Sequence, residues 1–253
     1  MTNNSNDIFT YHTLANGLRI VHRASAADVE YCGVAIKAGS RNESSADYGL
    51  AHFVEHTIFK GTDRRRSWHI VNRMESVGGE INAYTSEEVT MLYSCFPKGN
   101  LARAVELMAD LIGCSRFPEN EIDREREVVL DEIDSYLDSP SDAIFDDFND
   151  LIFAGSSLGH NILGTAETIG TFTPESCRDF LSTYYTPSNM VFFYTGPTPP
   201  SRVMSTIERH LSFLNHPVKE LHDDTPREVT PFDLRRELGT HQSHTVIGAR
   251  IPG

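Results

Sequence analysis

One short stretch limits what this chain can be more than any other: residues 49–62, GLAHFVEHTIFKGT, which contain His52-x-x-Glu55-His56. In a helix each residue advances by about 100°, so the two histidines lie about 40° apart and Glu55 falls within the same arc. Two imidazoles at this spacing are natural zinc ligands, and a carboxylate beside them can act as a base. The opposite side of this helix is apolar and predicted to be buried: Leu50, Phe53, Val54 and Ile58.

Bulk composition excludes several classes of function. The 253 residues carry a net charge of −14 with 39% hydrophobic residues, which argues for a globular core and against nucleic-acid binding. No apolar run approaches the ~18 residues of a membrane span. The first residues, 1–7, are polar and lack the basic and apolar regions of a secretion signal, so a cytoplasmic location is expected. Four dispersed cysteines are expected to be reduced thiols: Cys32, Cys95, Cys114 and Cys177.

The order of apolar patterns predicts a mixture of strands and helices. Asn16-Gly17 separates two β-prone runs and is a strong hairpin signal. Residues 215–236 are rich in proline and acids and read as a linker, which leaves 1–214 as the first domain. His244 to Ile251 is strand-like, and a single strand cannot stand alone. Residues 237–253 are therefore expected to begin a second, truncated domain.

A catalytic metal site needs a third ligand, and a long acidic helix offers candidates. The predicted helix from Glu119 to Leu137 carries Glu125 and Glu132, which are seven residues apart and share a face within about 20°. In a run this acidic, the same two carboxylates are equally typical of a solvated surface. The residue pattern alone leaves both interpretations open.

Four segments together resemble the pitrilysin/insulinase family of zinc metallopeptidases, in its processing-peptidase-like branch. They are GLAHFVEHTIFKGT (49–62), VGGEINAYTSEEVTMLY (77–93), EREVVLDEI (125–133) and LGHNILGTAETI (158–169). The family's third zinc ligand is a glutamate well downstream of the second histidine, and Glu132 matches it at 132 − 56 = 76 residues. The resemblance thus implies that His52, His56 and Glu132 bind Zn²⁺.

The resemblance also assigns roles around the metal. Glu55 is expected to be the general base, which takes a proton from water and passes it to the leaving amine. Glu125 is expected to orient a ligand without binding zinc itself. Asn82, Ala83 and Tyr84 match the edge strand to which the family adds a peptide substrate. The alternative for Asn82 is that it only caps a turn after Gly78-Gly79.

For the fold, the resemblance implies an α+β half-unit with a mostly antiparallel sheet of five to six strands and helices mainly on one face. In this family a second homologous half-unit, in the same chain or in a partner subunit, closes a chamber over the zinc. It supplies an arginine and a tyrosine that position the peptide or small unfolded polypeptide. The full-length form is expected to be a dimer, and this chain alone is expected to bind zinc but to cleave peptides weakly.

Two alternatives to a zinc endopeptidase remain. A non-catalytic scaffold subunit of the same fold would usually lack a ligand or the base, and here all four positions are occupied. A non-peptidase zinc enzyme of the S-ribosylhomocysteine lyase type also carries His-x-x-Glu-His, but its third ligand is a cysteine. Cys114, at 114 − 56 = 58 residues from His56, is the nearest candidate outside a strand.

Overall fold

A computed structural model describes residues 8–215, 229–237, 239 and 242–250. Within these ranges the chain forms one six-stranded sheet and eight α-helices. The strands are β1 (Phe9–Thr13), β2 (Arg19–Ala24), β3 (Val29–Ile36), β4 (Glu80–Thr85), β5 (Thr90–Pro97) and β6 (Met190–Gly196). The helices are α1 (Leu50–Thr57), α2 (Ser67–Glu75), α3 (Leu101–Cys114), α4 (Glu119–Leu137), α5 (Pro140–Ile152), α6 (Ala166–Ile169), α7 (Pro174–Tyr184) and α8 (Pro200–Leu211).

The predicted hairpin at Asn16-Gly17 is present. Gly17 has a φ of +91°, in the left-handed region that glycine adopts readily, and β1 pairs antiparallel with β2 on either side of it. The side-chain amide of Asn16 donates to the carbonyl oxygens of Leu211, at 2.9 Å, and Leu214, at 3.1 Å. This turn residue therefore ties the first hairpin to the end of α8.

The strand order is β1-β2-β6-β3-β5-β4, and it corrects the expected sheet in one respect. Four of the five neighbouring pairs are antiparallel, as predicted, but β6 lies parallel to β2. The sheet is therefore mixed. The cause is the long helical segment before β6, which returns the chain to the middle of the sheet in the direction of β2, as a crossover connection allows.

One face of the sheet carries the core. Every second residue of β5 is buried, from Thr90 to Phe96, while the residues between them are partly exposed. Strand β6 alternates in the same way. Helix α3 packs against β3 and β5 on the buried side, and α8 packs against α3 and β2. This alternation is the period of two that a sheet covered on one face requires. At the far edge, α1 packs against β4.

The structure describes only part of the predicted linker and of the predicted second domain. Most of the expected linker lies outside the described residues, which resume at residue 229. In the described part of the C-terminal segment, 229–237, 239 and 242–250, there is neither helix nor strand, and Ile251 lies beyond it. The division into 1–214, a linker and a second unit stays a prediction. No helix within the described residues is long and apolar enough to cross a membrane.

Candidate metal centre

Helix α1 is held in place at its first turn by a buried carboxylate. Both oxygens of Glu43 accept backbone N–H groups there, from Gly49 at 2.9 Å and from Ala51 at 2.6 Å. Nε2 of His160 lies 3.1 Å from Glu43 as well, and the His160 ring stacks on Tyr48. A carboxylate in this position accepts hydrogen bonds from N–H groups that have no partner within the helix. Its negative charge also interacts favourably with the positive end of the helix dipole.

The apolar side of α1 is buried as predicted, so its polar side is turned toward α4. Phe53 and Val54 are fully buried, and Gly49, with a φ of +96°, is the N-cap residue immediately before the helix. A Cβ on Gly49 would lie 2.6 Å from the carbonyl oxygen of Leu163, so the loop before α6 packs directly on this turn. That close approach restricts how far the helix can move.

Three side chains from α1 and α4 converge as the spacing predicts. Nε2 of His52 lies 3.9 Å from Oε2 of Glu132, and Nε2 of His56 lies 3.4 Å from the same oxygen. The three possible ligand atoms all lie within 4.8 Å of one another. Two imidazoles and one carboxylate are a donor set found in catalytic zinc sites, which keep a position open for water. The residues present therefore fit a zinc ion.

Burial alters the acid–base properties of this cluster. It lowers the pKa of His52 to about 3, with the neighbouring His56 adding to the effect, so the His52 imidazole is neutral at neutral pH. Burial also raises the pKa of the Glu55 carboxyl, while the nearby polar groups of Thr85 and His56 oppose that change. A neutral imidazole has a lone pair for a metal, and a carboxylate with a raised pKa accepts a proton more readily.

Glu125 lies behind the cluster, in contact with one of its histidines. Its Oε2 is 3.3 Å from Nδ1 of His56, on the side of the ring away from Glu132. Its other oxygen, Oε1, is 2.6 Å from Nζ of Lys60. No role was predicted from the sequence for four residues around this site: Lys60, Glu43, Thr85 and His160. Lys60 had a usable signal, since it follows His56 by four residues, but a lysine beyond the end of a helix usually reads as solvated surface.

The three residues of the expected substrate strand occupy the free edge of the sheet, in β4. Ala83 packs against the core, whereas Asn82 and Tyr84 are exposed on the opposite face. Oδ1 of Asn82 accepts the backbone N–H of Ala83 at 2.9 Å. By strand alternation, the Asn82 side chain points away from α1. The structure therefore places the main chain of β4 beside the cluster without bringing the Asn82 side chain to it.

Cys114 is not among the residues that converge. It ends α3, where its carbonyl oxygen accepts the backbone N–H of Asp63 at 2.9 Å. Burial raises the pKa of its thiol, with Asp110 contributing and Arg64 opposing. The described residues thus provide a His-His-Glu cluster and leave this cysteine among different neighbours.

Comparison with known proteins agrees with the geometry. A family model described as "Insulinase (Peptidase family M16)" matches residues 19–166, more than half of the chain. The chain belongs to this family. A second model, described as "Peptidase M16 inactive domain", matches residues 171–253 of this M16 chain.

Named relatives fall in the same group. The beta subunit of a probable mitochondrial-processing peptidase from Arabidopsis thaliana is 37% identical over 198 residues, covering 78% of this chain and 37% of that protein. A Bacillus subtilis protein named "uncharacterized zinc protease YmxG" is 34% identical over 239 residues, covering 94% of this chain and 58% of that protein. The chain therefore spans about half the length of the curated relatives it matches.

Solved structures share the fold of this M16 chain. A protease from Helicobacter pylori is 27% identical with a TM-score of 0.81, covering 87% of this chain and 53% of that one. The first half of the periplasmic protease PqqL from Escherichia coli is 26% identical, also with a TM-score of 0.81, over 87% of this chain and 49% of that one. The six-stranded mixed sheet and its helices thus match the fold of M16 peptidase structures.

Proposed function

We propose that this chain is the zinc-binding half-unit of a metalloendopeptidase. The observation that carries the proposal is the convergence of His52, His56 and Glu132 within 4.8 Å, with Glu55 on the same helix as the two histidines. Zinc, when bound, supplies a Lewis acid that lowers the pKa of water toward neutrality. Family membership and the names of the relatives support the same chemistry.

Each residue then has a defined task. His52, His56 and Glu132 would hold the ion, and Glu55 takes a proton from the attacking water and delivers it to the leaving amine. The free edge of β4 accepts the main chain of an extended peptide as an added strand, with Asn82, Ala83 and Tyr84 along it. A second homologous half-unit covers the site and completes the substrate chamber. A dimeric full-length form and a cytoplasmic location remain predictions.

Two measurements test this function. We expect the purified chain to bind about one equivalent of zinc and to hydrolyse unstructured peptides slowly, because it spans about half the length of its relatives. Glu55→Gln should retain zinc and lose the residual turnover, since it removes the base and leaves the ligands. Glu88→Gln, an exposed change on the β4–β5 turn, is the matched control. Zinc content and peptide cleavage are measured on the same samples.

The results separate the proposal from its rivals. A chain that binds no zinc would refute the metallopeptidase assignment. Turnover that survives Glu55→Gln would refute the role of the base and favour a contaminating activity or a non-catalytic scaffold. Fast turnover by the isolated chain, abolished by Glu55→Gln, would refute the need for a second half-unit and leave the chemistry intact.

A further inference from the structure

We infer that Lys60 is a positioning residue of the metal centre: it holds the Glu125 carboxylate where that carboxylate fixes the imidazole of His56. The inference rests on the zinc site of the proposed function. It assigns a role to a side chain outside the His-x-x-Glu-His motif, in the turn that follows α1.

A continuous line of polar contacts runs through the site. Nζ of Lys60 lies 2.6 Å from Oε1 of Glu125, and Oε2 of Glu125 lies 3.3 Å from Nδ1 of His56. The other ring nitrogen of His56, Nε2, faces Glu132 at 3.4 Å. If Nδ1 carries the proton and donates it to Glu125, Nε2 presents its lone pair to a metal. Each carboxylate oxygen of Glu125 therefore has one partner: Oε1 contacts Nζ of Lys60, and Oε2 contacts Nδ1 of His56.

This ion pair differs from an ordinary surface pair. The Glu125 side chain is 10% exposed and the Lys60 side chain 26%, whereas the two side chains of the Arg116–Asp63 pair are 65% and 56% exposed. A buried carboxylate such as that of Glu125 needs hydrogen-bond donors or a cation around it to hold it in place. Within the described part of the chain, the side-chain partners of Glu125 are Lys60 and His56, so removing Lys60 leaves the His56 contact.

Lys60 is also held firmly enough to act as an anchor. Its backbone N–H donates to the carbonyl oxygen of Thr57 at 3.0 Å. The next residue, Gly61, forms an isolated β-bridge with Arg66 and accepts the N–H of Arg116 at 3.0 Å. The Lys60 side chain thus extends from a turn whose backbone is fixed by hydrogen bonds, and it is only 26% exposed.

The two histidines differ in how they are supported. Nδ1 of His52 is buried without a hydrogen-bond partner among the described residues, while Nδ1 of His56 has Glu125. Glu125 is therefore the contact that can fix the Nδ1 side of the His56 ring, opposite the side that faces Glu132. Because Lys60 holds Glu125 in place, it determines the tautomer and the orientation of the His56 ring indirectly, through Glu125.

Positioning and simple electrostatics predict opposite results when Lys60 is removed. A cation close to a metal site repels the metal, so its loss should tighten zinc binding if charge were its only effect. If Lys60 positions His56 through Glu125, its loss should weaken zinc binding, as the loss of groups that orient metal ligands does. The sign of the change therefore identifies the role.

The experiment measures zinc affinity by competition with a chromophoric chelator. We expect Lys60→Met to raise the zinc Kd about 10- to 100-fold and Lys60→Arg to change it little, because a guanidinium restores the contact. Lys98→Met removes the same charge from an exposed turn and should leave the Kd unchanged. An unchanged or lower Kd for Lys60→Met would overturn the inference while leaving the zinc site in place. A wild-type chain without zinc affinity would instead refute the proposed function itself.

Two further measurements keep the inference falsifiable. In a Glu125→Gln background the carboxylate is gone, so Lys60→Met should add less than about 3-fold to the Kd; a full additional loss would mean that Lys60 acts independently of Glu125. If Lys60→Met does not fold, ¹⁵N NMR of the zinc-free wild-type protein decides. His56 should be protonated at Nδ1, and protonation at Nε2 would overturn the inference.

Discussion

At the scale of single residues, spacing and family resemblance predict the metal-binding side chains. They do not predict the residues that hold those side chains in place. The approach of His52, His56 and Glu132 follows from an i, i+4 pair on one helix and a family-specific interval to the next. Lys60 and Glu43 were not predicted because each contacts a residue on a distant segment. Lys60 pairs with Glu125, 125 − 60 = 65 residues away, and Glu43 pairs with His160, 160 − 43 = 117 residues away. No local pattern encodes such a pairing.

The identity of the third ligand gives a prediction at this scale. Glu132→Ala should reduce bound zinc from about one equivalent to near zero, because two imidazoles alone leave the ion weakly held. Cys114→Ala should keep full zinc content, since the cysteine lies beside Asp63 and Asp110 and away from the cluster. Metal analysis after dialysis compares the two. The reverse pattern, with zinc lost only from Cys114→Ala, would support the lyase-like alternative.

At the scale of elements, helix and strand types follow from periodicity, and some helix bounds follow from a proline at or next to the start, as at Pro118 and Pro174. Helix α4 begins after Pro118 and ends at Leu137, as predicted, and Asn82, Ala83 and Tyr84 lie in an edge strand, β4, as the resemblance implied. What the pattern could not show is how α1 is fixed. Its N-terminal N–H groups are satisfied by Glu43, a residue in the polar loop before the helix that has no helical or strand period.

The buried cap of α1 should be worth several kcal/mol. Glu43→Ala removes the acceptor of two backbone N–H groups and leaves His160 without its partner. We expect a loss of about 3–5 kcal/mol in the free energy of unfolding, as for other broken buried pairs. As a control, Asp63→Ala breaks an exposed pair with Arg116, in which the two side chains are 56% and 65% exposed, and should cost only about 0–1 kcal/mol.

Urea unfolding followed by circular dichroism measures both changes. Equal midpoints for the two variants would show that Glu43 does not hold α1, and that the first turn of the metal-binding helix is fixed by packing alone. A large loss confined to Glu43→Ala would link the loop at residues 40–48 directly to the stability of the helix that carries His52 and His56.

At the scale of the whole molecule, the sheet crosses the division between the two family models. The first model ends at residue 166 and the second begins at 171, yet β6 lies between β2 and β3. The presence of strands was predictable from apolar runs, but their order in the sheet was not. Neither of two distant strands contains a local sequence pattern that specifies its pairing partner. The predicted unit 1–214 contains every helix and strand of the described residues.

Truncation tests which boundary is physical. A chain of residues 1–214 keeps every helix and strand of the described residues and loses the contacts of Phe232 and Arg236 with α5, so it should still unfold in one cooperative transition. A chain of residues 1–170 lacks β6 and α8, so it leaves one side of β2, one side of β3 and the surface of α3 that contacts α8 uncovered. We expect no cooperative thermal transition for it. Cooperative unfolding of 1–170 would show that β6 is dispensable and that the family-model boundary is a folding boundary.

The central position of β6 also determines when this protein can fold as it is made. The paired residues Arg19 and Val191 are 191 − 19 = 172 residues apart, which takes roughly 10–35 s to synthesise at 5–20 residues per second. Until β6 leaves the ribosome, the β1–β2 hairpin and the β3-β5-β4 group each keep an unpaired strand edge. Open edges of this kind promote aggregation. The nascent chain should therefore depend on chaperones until β6 has been synthesised and can pair with β2 and β3.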